Sequence, residues 1–186
     1  WDLELGRSGH ALRDEVLARL QRKGFHALPF YPSFVGGDDP DSGLAVGVGS
    51  PRYSTSYWAA RNRFGALVET HSWQEYPRRV AATRETIHAM VELTARDGAK
   101  WLGAARAADE RARLLGGKPV ALSFRNTDAV RTVELRGYEY TREPSSVSGQ
   151  PWIRYDSTRP TVWRLPLRYE VQPALTVTAP ATGYFV

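Results

Sequence analysis

Phe64-Gly65-Ala66-Leu67-Val68-Glu69-Thr70 decides how this chain reads. Phe64 to Val68 is apolar on both faces of a two-residue repeat. Polar residues bound it, Arg61-Asn62-Arg63 before and Glu69-Thr70-His71-Ser72 after. A strand apolar on both faces belongs inside a sheet that is covered on both sides. The run therefore predicts a buried central strand over 64–69. Behind it, Pro77 to about Ala95 has helical period, and Pro77 suits a first helical position. Val80, Thr83, Ile87, Met90 and Val91 form the expected buried stripe, with Leu93 at its edge and Thr94 continuing the spacing. A strand feeding a helix is the repeating unit of α/β sheets.

Working outward, Leu12, Val16, Leu17 and Leu20 predict an amphipathic helix over about 10–23, stopped by Gly24. Phe25 to Phe34, broken by Pro29 and Pro32, reads as a short strand entering a loop. The Gly- and Asp-rich stretch from Gly36 to Gly49 reads as a long exposed loop. Arg52 to Asn62 reads as a short helix bearing Tyr53, Tyr57 and Trp58. Asp97-Gly98 predicts a break, with a second helix running on to Leu115 before Gly116-Gly117. From Lys118 the helical period disappears. Val120–Phe124, Thr132–Arg136, Tyr138–Tyr140 and Thr161–Val171 alternate as strands do, and Asn126-Thr127-Asp128 reads as a turn. The expectation is an α/β portion over 1–117 followed by a β-rich region over 118–186.

The 186 residues are 42% hydrophobic and 24% charged, which suits a globular chain with a real core. No stretch approaches the length of a membrane span. The absence of cysteine excludes disulfide frameworks, thiolate metal sites and cysteine nucleophiles. The net charge of +5 comes almost wholly from arginine, scattered among acids as in Arg106-Ala-Ala-Asp109-Glu110-Arg111. Without a basic face, nucleic acid is not an expected partner; neither is a membrane.

Glu69 is the main chemical candidate. In open α/β sheets, sites gather beyond the carboxyl ends of strands. A partly desolvated carboxylate there can serve as a general base, although a strand-end Glu can also cap the next helix or pair with Arg78 or Arg79. His71, two residues on, shares a face with Glu69 in extended chain. Tyr53 and Tyr57 precede them among Arg52, Arg61 and Arg63, a mixture that suits a substrate carrying a carboxylate. His88 and Glu92 are four apart on a helix but have no third ligand with them. His10 and His26 sit at a helix start and in a loop. No Gly-x-Ser-x-Gly, P-loop or dinucleotide fingerprint is present.

The stretch Pro51-Arg-Tyr-Ser-Thr-Ser-Tyr-Trp-Ala-Ala-Arg-Asn-Arg-Phe-Gly-Ala-Leu-Val-Glu-Thr-His-Ser-Trp73, with Tyr76-Pro-Arg-Arg-Val-Ala-Ala-Thr-Arg84, resembles the C-terminal part of carboxypeptidase A-like zinc metallopeptidases of a bacterial branch. Tyr138, the Gly149 region and Gly183-Tyr-Phe-Val186 resemble that branch's β-rich tail. The resemblance implies a mixed-sheet fold of the phosphorylase/hydrolase-like kind. It also implies a zinc-dependent hydrolase of peptides in which Glu69 is general base and proton shuttle, and Tyr53, Tyr57 and His71 lie near the substrate. The loop over 36–49 would rim the cleft.

The family's early His-x-x-Glu, which supplies two zinc ligands, is absent from this chain. No zinc ligand is therefore assigned here. The chain is expected to be a late segment of a longer enzyme, inactive alone, whose metal-bearing part lies upstream. Two alternatives stay open. One is a zinc-dependent deacylase of N-acyl amino acids; the other is a non-catalytic binding module on the same scaffold.

Overall fold

The structure is a computed structural model and describes residues 2–29, 34–72 and 74–183. It is mixed α and β, with one small mixed sheet and one antiparallel ribbon. In chain order the elements are α1 (Leu3–Arg22), a 3₁₀ turn at Pro40–Ser42, β1 (Leu44–Ala45), α2 (Ser54–Ala60), α3 (Tyr76–Arg113), β2 (Pro119–Asn126), β3 (Val130–Pro144), β4 (Pro151–Arg168) and β5 (Val171–Thr178). The described residues form two compact units. One holds 2–29, 49–72, 74–120 and 177–183; the other holds 34–48 and 121–176.

The first unit is built on α1 against α3. Val16 and Leu20 meet Ala89 and Leu93, with Leu12, Phe25, Met90 and Trp101 packed around them. Further along, Leu5 meets Ala105 and Ala108, and Phe64 closes the cluster. Small residues on α3 let the two helices approach closely. Ion pairs run along the seam: Arg111 with Asp2, Arg96 with Glu15, Arg19 with Glu92 and Lys23 with Glu85. Their order shows that the helices are antiparallel.

Helix α1 begins at Leu3, a turn or more before the sequence expectation. Asp2 is the reason: its Oδ1 accepts from the amides of Glu4 and Leu5, both at 3.1 Å. That N-cap outweighs the unfavourable Gly6 and Gly9 that follow. Helix α3 is continuous for 38 residues, so Asp97-Gly98 does not break it. One glycine costs a helix about 1 kcal/mol. Here the seam against α1 supplies packing on both sides of it.

The buried stripe of α3 also differs from expectation. Thr86, Ala89 and Leu93 are buried, whereas Val80 is 48%, Ile87 52% and Val91 63% exposed. The helix has two apolar faces, and α1 takes the one with the smaller side chains.

The largest correction concerns 64–69. No strand forms there. Residues 63–71 run outside any helix, turn, bend or ladder. Among the described residues no backbone hydrogen bond engages the amides of 64–70, so the run has no sheet to be central in. Phe64 is packed, edge-on against Trp101 with ring centroids 5.6 Å apart. Residues 25–29 are irregular rather than a strand, and positions 30–33 lie outside the described residues.

In the second unit β1 pairs parallel to β4, and β3 pairs antiparallel to β4. Leu44, Leu165 and Leu167 form its core with Phe34, Val46, Val133, Leu135 and Trp163 around them. Of the stretch over 36–49, expected to be an exposed loop rimming a cleft, residues 36–38 and 47–49 are exposed, whereas the middle folds onto this sheet, with Pro40 and Leu44 buried. Asp39 and Asp41 both pair with Arg142 at 2.6 Å, and the Tyr140 hydroxyl donates to Asp41 at 2.6 Å. Those two bonds hold the Asp41 carboxyl below its usual pKa, the tyrosine contributing most.

The β3–β4 ladder shifts register between Tyr138 and Glu139, leaving Ser157, Thr158 and Arg159 bulged out. Separately, β2 and β5 form a two-stranded ribbon.

Candidate functional site

Helix α2 is capped at its C-terminus by Arg61, and Asn62 follows in the left-handed region with φ 53°. Asparagine tolerates that conformation better than most residues. Asn62 is buried, and its amide donates to Asp109 on α3 at 3.2 Å. Arg63 then grips the same carboxylate with two nitrogens, at 2.8 and 3.1 Å. These bonds, Arg63's the larger, lower the Asp109 pKa. The start of the 64–70 run is therefore fixed to α3 by a polar clamp and by the Phe64 ring.

Beyond Phe64 the chain is exposed. Leu67 is 54% exposed, and Val68, Glu69 and His71 also face solvent. Among the described residues Glu69 makes no ion pair and accepts no side-chain hydrogen bond. Arg78 and Arg79, the expected partners of this carboxylate, are placed elsewhere. Arg78 donates to the Gly24 carbonyl at 2.8 Å and lies over the Phe25 ring. Arg79 lies over the Tyr76 ring, with its Nε buried and unbonded. The His71 carbonyl accepts from the Gln74 amide at 3.0 Å, which turns the chain toward α3.

A groove of about 510 Å³ follows the outer face of α3, lined among others by Tyr76, Arg79, Val80, Thr83 and His88. Thr70 reaches it, but Glu69 and His71 do not line it. Tyr53 and Tyr57 do not line it either. Tyr53 stands at the N-terminus of α2 with the Arg52 guanidinium 4.8 Å above its ring, and Tyr57 packs edge-on against Trp58. The structure thus places Glu69 and His71 on one exposed stretch and does not bring the two tyrosines to them. Asn62 and Asp109, which position that stretch, carried no sequence signal beyond an Asn after a short helix.

Among the described residues no group of three or more His, Asp or Glu side chains is arranged to hold a metal ion. Glu92, considered with His88, is bound instead to Arg19 at 2.6 Å. The residues present do not form the zinc site that the resemblance implies. Among the described residues no helix is long and apolar enough to cross a membrane. No family model, curated protein or solved structure matches the chain.

Proposed function

We propose that this chain is the base-bearing part of a zinc carboxypeptidase-like hydrolase, acting on peptides once the metal-bearing part of the enzyme is joined to it. One observation carries this reading. An apolar run outside any helix, turn or ladder ends in an exposed, unpaired Glu69, ahead of a long helix whose outer face is also apolar and exposed. Such surfaces are normally covered in a finished domain, and covering them would bring Glu69 to the end of a sheet strand. The Leu67-Val68-Glu69-Thr70-His71-Ser72 motif supplies the chemical side of the proposal.

In this reading Glu69 takes a proton from the attacking water and delivers it to the leaving amine. His71 orients the strand end. Zinc enters only as the family's cofactor. No step is assigned to it here, because the described residues show no ligand set for it.

The test begins with the coding sequence upstream of Trp1. A His-x-x-Glu there, with a later histidine, supports the peptidase, and its absence from the complete gene defeats it. Hydrolysis of C-terminally free peptides and of N-acyl amino acids by the complete protein then separates the peptidase from the deacylase.

A further inference from the structure

We propose that the Asp39–Pro40 peptide bond is a self-cleavage site, at which the Asp39 carboxylate attacks its own main-chain carbonyl and releases the chain from Pro40 onward. The inference does not depend on the peptidase reading, since every group it uses lies in the unit of 34–48 and 121–176. This is the single Asp–Pro bond in the sequence. The nucleophile is in place. Asp39 Oδ1 accepts from the Arg142 guanidinium at 2.6 Å and from the Asp41 amide at 3.0 Å. Among the described residues Oδ2 takes no hydrogen bond, so it is the oxygen left to react. It is tethered to the carbonyl carbon through Cγ, Cβ and Cα, and a tethered nucleophile gains its advantage from proximity.

The carbonyl is prepared as well. Ser42 donates to the Asp39 carbonyl oxygen twice, from Oγ at 2.6 Å and from its amide at 3.2 Å. The Gly36 amide donates to the same Oγ at 2.8 Å, which leaves the hydroxyl hydrogen for the carbonyl. Two donors on one carbonyl oxygen stabilise the negative charge that builds there on attack. The leaving group is the Pro40 nitrogen, which has no N–H and therefore no hydrogen bond to lose. Asp39 is held extended, at φ −81° and ψ 110°, as a residue before proline prefers, and Pro40 is buried. In the step the bond from Oδ2 to the carbonyl carbon forms and the bond from that carbon to the Pro40 nitrogen breaks. The nitrogen takes a proton from water and leaves as a secondary amine. The hydroxide left from that water opens the cyclic anhydride, so Asp39 ends with two carboxyl groups. The net change is hydrolysis of one peptide bond by one water. Cleavage leaves α1 packed on α3 through Val16, Leu20, Ala89 and Leu93, so the N-terminal piece keeps its place in the helix pair.

The experiment incubates the purified 186-residue chain with protease inhibitors at neutral and mildly acidic pH and follows its mass under denaturing conditions. The expected result is first-order, concentration-independent conversion to 1–39 and 40–186, the second piece beginning at Pro40. The same chain unfolded in urea should cleave far more slowly, because the Ser42 donors are then lost. Asp39→Asn keeps the acceptor that caps the turn, replaces Oδ2 by a poorly nucleophilic amide nitrogen and should abolish cleavage. Ser42→Ala should slow it by roughly 10²-fold, the usual effect of losing one such donor. Asp38→Asn should cleave at the unmodified rate. A chain that stays intact overturns the proposal. Cleavage as fast in urea as in the folded protein is only the ordinary lability of an Asp–Pro bond and overturns it equally. So does an Asp39→Asn chain that still cleaves, or an Asp38→Asn chain that does not. Circular dichroism confirms that each variant is folded. If a variant fails that check, the comparison of folded and urea-unfolded unmodified chain decides.

Discussion

Arg96 on α3 holds both carboxylate oxygens of Glu15 on α1, at 2.9 and 2.7 Å, while Arg19 bonds the same carboxylate at 3.2 Å. The Arg96 bonds are the larger cause of a Glu15 pKa of about 2. At the other end of the seam Arg111 bonds Asp2, which also falls to about 2, and Asp2 is the N-cap of α1 as well. One set of carboxylates thus both starts α1 and fastens it to α3.

That arrangement predicts an acid-sensitive helix pair. Both folded-state pKa values lie below the unfolded ones, near 4. Their stabilisation is therefore fully present above that range and is lost as pH falls from about 4.5 toward 2. Thermal unfolding followed by circular dichroism should show the melting temperature dropping through this window. Asp2→Asn keeps an N-cap acceptor, removes the charge and should flatten the drop. A melting temperature unchanged between pH 5 and pH 2.5 would show that the seam carries no net stability.

Leu93 is 1% exposed at the α1–α3 seam, and Val91, two residues earlier, is 63% exposed. Leu93→Ala should cost about 2–5 kcal/mol of unfolding free energy, because it leaves a cavity beside Val16 and Leu20. Val91→Ser should stay within about 0.5 kcal/mol. Urea titration of the two variants measures the contrast. Equal effects would mean that the helix buries the other face.

Gly137 on β3 lies beneath the Trp163 indole, and a Cβ there would collide with the ring. The Trp163 Nε1 donates to the Tyr138 carbonyl at 3.0 Å, and its ring packs against Phe34, Tyr140 and Tyr155, so it has little room to give. Gly137→Ala should destabilise the β3–β4 unit by about 1–3 kcal/mol, the usual cost of overpacking. Tryptophan fluorescence during urea unfolding reports it, and an unchanged midpoint would show that the indole moves aside freely.

The helices and the β-rich region after 118 were legible because their periods are local. The apolar repeat of α1, the loss of that repeat at Lys118 and the break between strands at 127–129 needed no tertiary knowledge. Three features were not legible. The face of α3 that becomes buried depends on which partner arrives, and Ala89 with Leu93 fits α1 more closely than Val80 with Ile87. The 36–49 stretch reads as loop because glycine and aspartate dominate it. Its order comes from residues a hundred positions away, Arg142 and Tyr140. The run at 64–69 has a strand's composition, but a strand also requires neighbours, and composition does not supply them. For the candidate site, Glu69 and His71 were chosen by motif, whereas the Asn62 and Arg63 clamp on Asp109, which fixes the start of their stretch, is visible only in three dimensions.

The last prediction concerns Glu69 in the complete protein. Glu69→Gln keeps shape and hydrogen-bonding reach and removes basicity. If Glu69 is the proton shuttle, kcat on the best peptide substrate should fall by at least roughly 10²–10⁴-fold, the range for loss of general acid–base catalysis. KM should move little, because the substitution leaves binding groups in place. Stability should also hold, since Glu69 is exposed and bonds nothing among the described residues. His71→Ala is the paired measurement. A histidine that only orients the strand end should cost far less than the glutamine substitution. The contrast is read from steady-state kinetics alongside melting temperatures, so that a folding defect is not mistaken for a chemical one. If Glu69→Gln turns over normally while His71→Ala is inactive, the proton passes through the histidine, and the assignment that links this chain to the peptidases is lost.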